Sequence, residues 1–131
     1  MEEGSSKSEW ILNFTVGEFL VIAKIEASFM RIALFGDIHA NLEALDAVLA
    51  DAGEQGCTDH VCMGDIVGYN ADPSACLERV RENNWPVVKG NHDEDASGNH
   101  GLDSMNPVAA SALKWTREQL TDEQRDWLRR I

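Results

Sequence analysis

The sequence predicts an α/β fold built on a parallel βαβαβ unit, and three observations carry that prediction. Three short apolar runs of strand length recur, RIALF from Arg31, HVCM from His60 and PVVK from Pro86. Segments with helical spacing of apolar residues lie between and after them. Each run also ends in a glycine followed by carboxylate, imidazole or amide side chains, in GDIHAN, GDIVGYNADP and GNHD. Gly, Asp and Asn are ordinary turn residues, so one such ending says little. Parallel α/β sheets gather ligands at the carboxyl ends of their strands, so three endings in series place Asp37, His39, Asp65, Asn91 and His92 on one rim.

Residues 1–29 stand apart from the rest. Their apolar stretch GEFLVIAKI has FLVIA, Phe19 to Ala23, as its longest unbroken run, interrupted by Glu18, Lys24 and Glu26. A membrane span needs ~20 apolar residues, and a signal peptide needs a basic start where this chain has Met1, Glu2 and Glu3. Two readings remain: an extra strand or hairpin at the edge of the sheet, or upstream sequence included through a misplaced start. The second is preferred, with Met30 as the natural start of a domain covering 30–131.

From Met30 the elements follow in order. Arg31 to Phe35 reads as a buried parallel strand. Asn41 to about Ala52 is a helix, with Leu42, Leu45, Val48 and Leu49 at helical spacing and Gly53 and Gly56 at its end. His60 to Met63 is the second strand. Asp72 and Pro73 supply an N-cap and first-turn proline for a helix reaching about Asn83. Trp85 to Lys89 is the third strand, and Glu94 to Met105 a polar loop. Asn106 and Pro107 start a helix through about Leu120, and Thr121 with Gln124 forms a capping box for a last helix ending at Arg130. Trp115 and Trp127 fall on the inner stripes of these helices and are expected in the core. Right-handed crossovers set the three strands side by side, with all three ligand loops on one rim.

Composition narrows the function. The chain carries 23 acidic and 11 basic residues, a net charge of −12 spread along 131 residues. Such a field repels phosphate backbones, so no broad nucleic-acid surface is expected, and a phosphorylated substrate would need cations to offset the repulsion. Cys57, Cys62 and Cys76 form no C-x-x-C pair and no even-numbered framework, which points to a reducing cytoplasm. Cys62 and Cys76 read as small buried hydrophobes. His60 and His100 read as ordinary residues.

The strand-end residues suit a metal centre. Asp37 and His39 are two apart just past a strand, a spacing that sends both side chains to the same side in extended backbone. Gly36 and Gly64 leave room for a sharp exit from each strand. Asp65 has two carboxylate oxygens and can bridge two cations, and Asn91 adds a neutral amide oxygen. Carboxylate, imidazole and amide together suit manganese, iron, nickel or zinc. Asn41, Tyr69 and Asn70 lie beside the rim as candidate substrate contacts, against the competing reading of Tyr69 as a loop tyrosine packing on its own helix.

The motifs GDIHxN, GDIVGYxxDP and GNHD in this order, followed by NPVAASALKWTREQL from Asn106, resemble the calcineurin-like metallophosphoesterases, specifically a small bacterial group. The resemblance runs from about Met30 to the C-terminus. It implies the amino-terminal half of a four-layer α/β/β/α sandwich, with a second sheet and further GH and GHxH histidines in a half that follows Ile131 in a complete enzyme. It implies two divalent ions, manganese first, ~3.5 to 4 Å apart. Asp37 and His39 would hold one, Asp65 would bridge, Asn91 would bind the other, and His92 would face the phosphate and the leaving group as the catalytic residue. Phosphodiesterase or phosphatase action on small-molecule or nucleotide phosphoesters is expected. Protein phosphatases of the superfamily carry another acid and an arginine where this chain has Gly68 and Tyr69. The alternative is a truncated, non-catalytic fragment acting as a binding module. A flavodoxin-like nucleotide-binding domain is disfavoured, because the loops lack a phosphate-cradling glycine series. A half-domain would expose one sheet face, so association with a second copy or with a missing half is expected, without a membrane.

Overall fold

The computed structural model describes residues 9–16, 19–26, 30–98, 102 and 105–131, with side chains from Met30 onward. His100 lies outside the described residues. The chain divides into two units, Met1–Met30 and Arg31–Ile131.

In the first unit β1 (Glu9–Val16) and β2 (Phe19–Glu26) pair antiparallel as their own two-stranded sheet. The register sets Trp10 opposite Ile25, Leu12 opposite Ala23 and Phe14 opposite Val21. Apolar residues therefore meet at every second position, the strand period.

The second unit is α/β. β3 (Ile32–Phe35) and β4 (Asp59–Cys62) pair in parallel, from Ile32 opposite Asp59 to Phe35 opposite Cys62. α1 (Leu42–Glu54) crosses between them, and its cap is Asn41, whose Oδ1 accepts from Ala44 N at 3.0 Å. α2 (Pro73–Glu82) starts at the predicted proline, although the Asp72 side chain makes no capping hydrogen bond. The expected third strand reduces to one parallel bridge between Cys62 and Val87. Cys62 N donates to Pro86 O and Val88 N to Cys62 O, each at 2.9 Å. Pro86 has no N–H to offer the His60 carbonyl, so the ladder stops there.

The expected loop after GNHD is instead partly helical, with α3 at Asn91–Ser97. α4 (Pro107–Gln119) and α5 (Asp122–Arg130) follow. Asn106 Oδ1 accepts from Val108 N at 2.9 Å to cap α4. The predicted capping box of α5 forms, with Gln124 N donating to Thr121 Oγ1 and Thr121 N to Gln124 Oε1.

Ile66, Val67, Leu77, Val80 and Leu128 are fully buried and anchor one core that also takes in Leu45, Ala96 and Leu120. Cys62 and Cys76 lie in it as expected, and burial pushes their thiols up to about 11 and about 12, with the Asp72, Asp46 and Glu43 carboxylates adding to the rise at Cys76. Trp127 packs against this core, but Trp115 does not and is 40% exposed. The inward line of α4 runs through Thr116 to Leu120, and Trp115 sits one residue, about 100° of helix, off that line. Val48 is likewise on the outer side of α1.

β3 is not the buried strand its composition suggests, because Ile32, Leu34, Met63 and Val88 are all exposed along the sheet. Parallel sheets normally have both faces covered, and among the described residues of this unit the expected exposed sheet face is present.

Candidate metal centre

Three loops meet at the carboxyl ends of β3 and β4 and at the start of α3. The first two are laced together by backbone. Asp37 N donates to Gly64 O at 3.1 Å, His39 N to Asp65 O at 2.8 Å and Ala40 N to Ile66 O at 2.9 Å. Parallel pairing thus continues past the strands through irregular backbone. Among the described residues six non-glycine positions have positive φ, and Asp37, His39, Ala40, Asp65 and Tyr69 are five of them. Left-handed backbone at such residues costs of order 1–2 kcal/mol each, and strain of this kind gathers where structure serves a site.

Asp37, His39 and Asp65 each bring one ligand atom into a group whose members all lie within 4.8 Å of one another. His39 Nε2 is 3.7 Å from Asp37 Oδ1. Its other nitrogen, Nδ1, is 3.4 Å from Val67 O. With the proton on Nδ1, that carbonyl accepts it and leaves the Nε2 lone pair turned toward the carboxylates. Metal-binding histidines are commonly oriented by such a partner. The chemistry of the donors fits a hard or borderline divalent cation: two carboxylates and an imidazole nitrogen, with no thiolate among them.

Asp65 joins this group to α3. Its Oδ1 accepts from His92 N at 2.9 Å, so the start of α3 is held against the cluster. The approach is so close that a Cβ at Gly90 would lie 2.1 Å from Asp65 Oδ1 and 2.3 Å from Asp65 N, which is why only glycine fits. Asn91 is the exposed first residue of α3, between this glycine and His92. The His92 ring is half-buried, with its centroid 4.7 Å from that of His39 and 4.5 Å from that of Tyr69.

Tyr69 projects from its loop instead of packing on α2: it is 68% exposed, and its ring lies 4.7 Å from that of His39. A cavity of about 320 Å³ includes Asp37, His39, Asn41, Tyr69 and Asn70 in its lining. The Asn41 oxygen is already committed to the α1 cap.

One residue of the site, Asp93, escaped sequence reasoning, and Asn70, expected as a substrate contact, has a structural role instead. Asn70 donates from both N and Nδ2 to His39 O, at 3.1 and 2.9 Å, and so clamps the second loop on the first. Asp93 is fully buried. Its Oδ1 accepts from Ile66 N at 2.9 Å and Val67 N at 3.2 Å, and its Oδ2 from Gly90 N at 3.0 Å. Burial pushes its carboxyl above the ordinary range, opposed by these three donors and reinforced by the Asp65 charge. The partner of Asn70 and two of the three partners of Asp93 are backbone groups on another loop, which leave no side-chain pattern to find, whereas Gly90 N is the cap of Asp93's own helix, three residues before it.

A profile of the calcineurin-like phosphoesterases matches residues 30–128. An uncharacterized protein of Methanocaldococcus jannaschii is 44% identical over 97 residues, covering 74% of this chain and 40% of that protein. The crystal structure of a metallophosphoesterase from Sphaerobacter thermophilus superposes with a TM-score of 0.65 at 45% identity, over 79% of this chain and 42% of that one. A crystal structure described as that of a candidate diadenosine tetraphosphatase superposes with a TM-score of 0.53 at 19% identity, over 79% of this chain and 48% of that one, a likeness of fold alone. The chain thus spans about two fifths of the length of the first two relatives.

Proposed function

Because this chain belongs to the calcineurin-like phosphoesterase family, we propose that it hydrolyses phosphoesters of small molecules or nucleotides at a centre of two divalent cations, manganese first among them. The observation that carries this reading is the convergence of Asp37, His39 and Asp65 within 4.8 Å, with His92 tied to Asp65.

Asp37 and His39 would hold one cation, Asp65 would serve both, and Asn91 would serve the second. Bound cations of this kind supply Lewis acidity toward phosphoryl oxygens and a water of lowered pKa. The chain's own residues supply the rest. Val67 O fixes the His39 ring through Nδ1. Asp65 Oδ1 fixes the backbone of His92, whose imidazole then donates a hydrogen bond or proton to the oxygen of the leaving group. Asn41 and Tyr69, both lining the neighbouring cavity, are the substrate contacts.

The three cysteines are free thiols, which supports a reducing, cytoplasmic setting. No helix among the described residues is long and apolar enough to cross a membrane. The bare sheet face at Ile32, Leu34, Met63 and Val88 supports association with a second copy or with further polypeptide. A second reading, a metal-binding module without turnover, is favoured by the openness of the centre, since the Asp37 side chain is 85% exposed. Hydrolysis of a chromogenic phosphodiester and a phosphomonoester by the purified chain with Mn²⁺ separates the two readings. Activity that is lost in Asp65→Asn supports the enzyme, and a folded, Mn²⁺-binding chain without turnover overturns it in favour of the module.

A further inference from the structure

Two aromatic side chains stand exposed beside the metal centre. Tyr69, at φ +64°, directly follows Gly68 at φ +97°, so two successive left-handed residues hold its ring outside the core and next to His39 and His92. A Cβ at Gly68 would lie 2.7 Å from His92 Nδ1, so the glycine is what lets this turn close on the histidine. Trp115 is the other aromatic, 40% exposed on α4 although it is expected in the core from the sequence.

These two residues line one open groove of about 450 Å³, together with Asn70, Ala71, Ala112 and Thr116. The groove shares Tyr69 and Asn70 with the cavity that contains Asp37 and His39. The two therefore adjoin at Tyr69 and Asn70. Its lining holds two aromatic rings, small side chains and an amide already engaged with His39 O, and no charged residue. In a chain of net charge −12, an uncharged aromatic groove adjoining the candidate cation centre suits a ligand with one anionic end and one flat, uncharged end.

We infer that this groove is the subsite for the organic group of the substrate, and that it takes a planar aromatic ring, as in a nucleoside phosphate, stacked on Trp115 and Tyr69. The inference rests on the phosphoester reading and adds the substrate class to it. Stacking of a nucleobase on an aromatic side chain strengthens binding by roughly five- to hundredfold, a gain that a sugar phosphate without a base does not share.

Adenosine 5′-monophosphate and ribose 5-phosphate serve as probes in ¹H–¹⁵N titrations of the full chain, with and without Zn²⁺ as a diamagnetic cation. The expected result is that the nucleotide binds the Zn²⁺-loaded chain at least fivefold more tightly than the sugar phosphate and shifts the Trp115 indole resonance, which the sugar phosphate leaves in place. Trp115→Ala should bring the two affinities within twofold of each other, and Trp115→Phe, which keeps a ring, should restore the preference. Equal affinities for the two probes, or an indole resonance unmoved at saturating nucleotide, would overturn the subsite. If Zn²⁺ fails to shift the Asp37 and Asp65 amides while the nucleotide still shifts the Trp115 indole, the groove stands and the metal-centre reading falls.

Discussion

Replacing Asp93 by Asn keeps the size and shape of the side chain and removes its charge, at a carboxylate that holds two loops of the centre together. Asp93 accepts three backbone hydrogen bonds, two on Oδ1 from Ile66 N and Val67 N and one on Oδ2 from Gly90 N. Asn can keep the Oδ1 pair but turns an NH₂ toward Gly90 N, donor against donor. The lost bond is one to a charged acceptor, about 1.5–3 kcal/mol. Part of this is offset, because burial already disfavours the Asp93 charge and the amide escapes that cost. A net loss of about 1–2 kcal/mol remains, or a fall in Tm of roughly 4–16 °C for a unit of this size. Urea unfolding gives the stability, and isothermal titration with Mn²⁺ gives the second readout. Gly90 abuts Asp65 and Asp65 is a proposed ligand, so cation affinity should fall as well. Unchanged stability together with unchanged Mn²⁺ affinity would refute the idea that this carboxylate ties α3 to the centre.

Other perturbations separate the roles of neighbouring residues. Gly90→Ala places a methyl 2.1 Å from Asp65 Oδ1 and 2.3 Å from Asp65 N, so the loop must move; Mn²⁺ affinity should drop at least tenfold, and native affinity in this variant would contradict the close approach. The Asp37 side chain is 85% exposed but its backbone is left-handed, which alanine tolerates less well than aspartate, so Asp37→Ala should lower stability by no more than about 1 kcal/mol while lowering the bound-metal stoichiometry, and unchanged stoichiometry would remove Asp37 from the ligand set. His92→Ala should keep the metal and lower turnover by orders of magnitude; loss of metal would reassign it as a ligand. The thiols of Cys62 and Cys76 are raised from 9.0 to about 11 and about 12, so the unfolded chain releases protons that the folded chain keeps. Their contribution to stability is whole below pH 9 and is lost as pH rises toward 11–12. Cys76→Ala should show a shallower fall in the urea midpoint between pH 8 and 10.5, and an unchanged slope would count against this account.

Much of the site was legible in the sequence because its ligands are side chains placed directly after strands. GDIH and GDIV announce both a turn and a donor set, and Asp37, His39 and Asp65 do converge. Helix starts were legible for the same local reason, since Asn41, Pro73, Asn106 and the Thr121–Gln124 pair act within their own first turn. What failed depended on distant partners. α3 has the sequence NHDEDAS, with no apolar stripe to mark it, and its start is held by its own third residue, Asp93, on Gly90 N and from outside by Asp65 on His92 N. The third strand shrank to a bridge for want of one proline N–H. Apolar residues fall on several sides of α4, so periodicity alone does not choose between Trp115 and Thr116, and the fold buries the threonine.

The strained backbone at the rim and the lacing between loops belong to one arrangement. Left-handed conformations at Asp37, His39, Ala40, Asp65 and Tyr69 would relax in a free loop, since each costs of order 1–2 kcal/mol. They are held because the same residues, or their neighbours, spend backbone groups across the loops: Asp37 N on Gly64 O, His39 N on Asp65 O, Ala40 N on Ile66 O, Asn70 N on His39 O and Asp72 N on Ala40 O. Each bond fixes a strained residue to a partner loop whose own position is fixed by Asp93 or by the strand behind it. These cross-loop backbone bonds thus help to bring the ligand atoms together. A centre assembled in this way carries its ordering cost within folding, which leaves more of the coordination energy available for binding the ion. It also explains why the hydrogen-bonding residues around the centre, Asn70 and Asp93, should matter to cation affinity although neither belongs to the proposed ligand set.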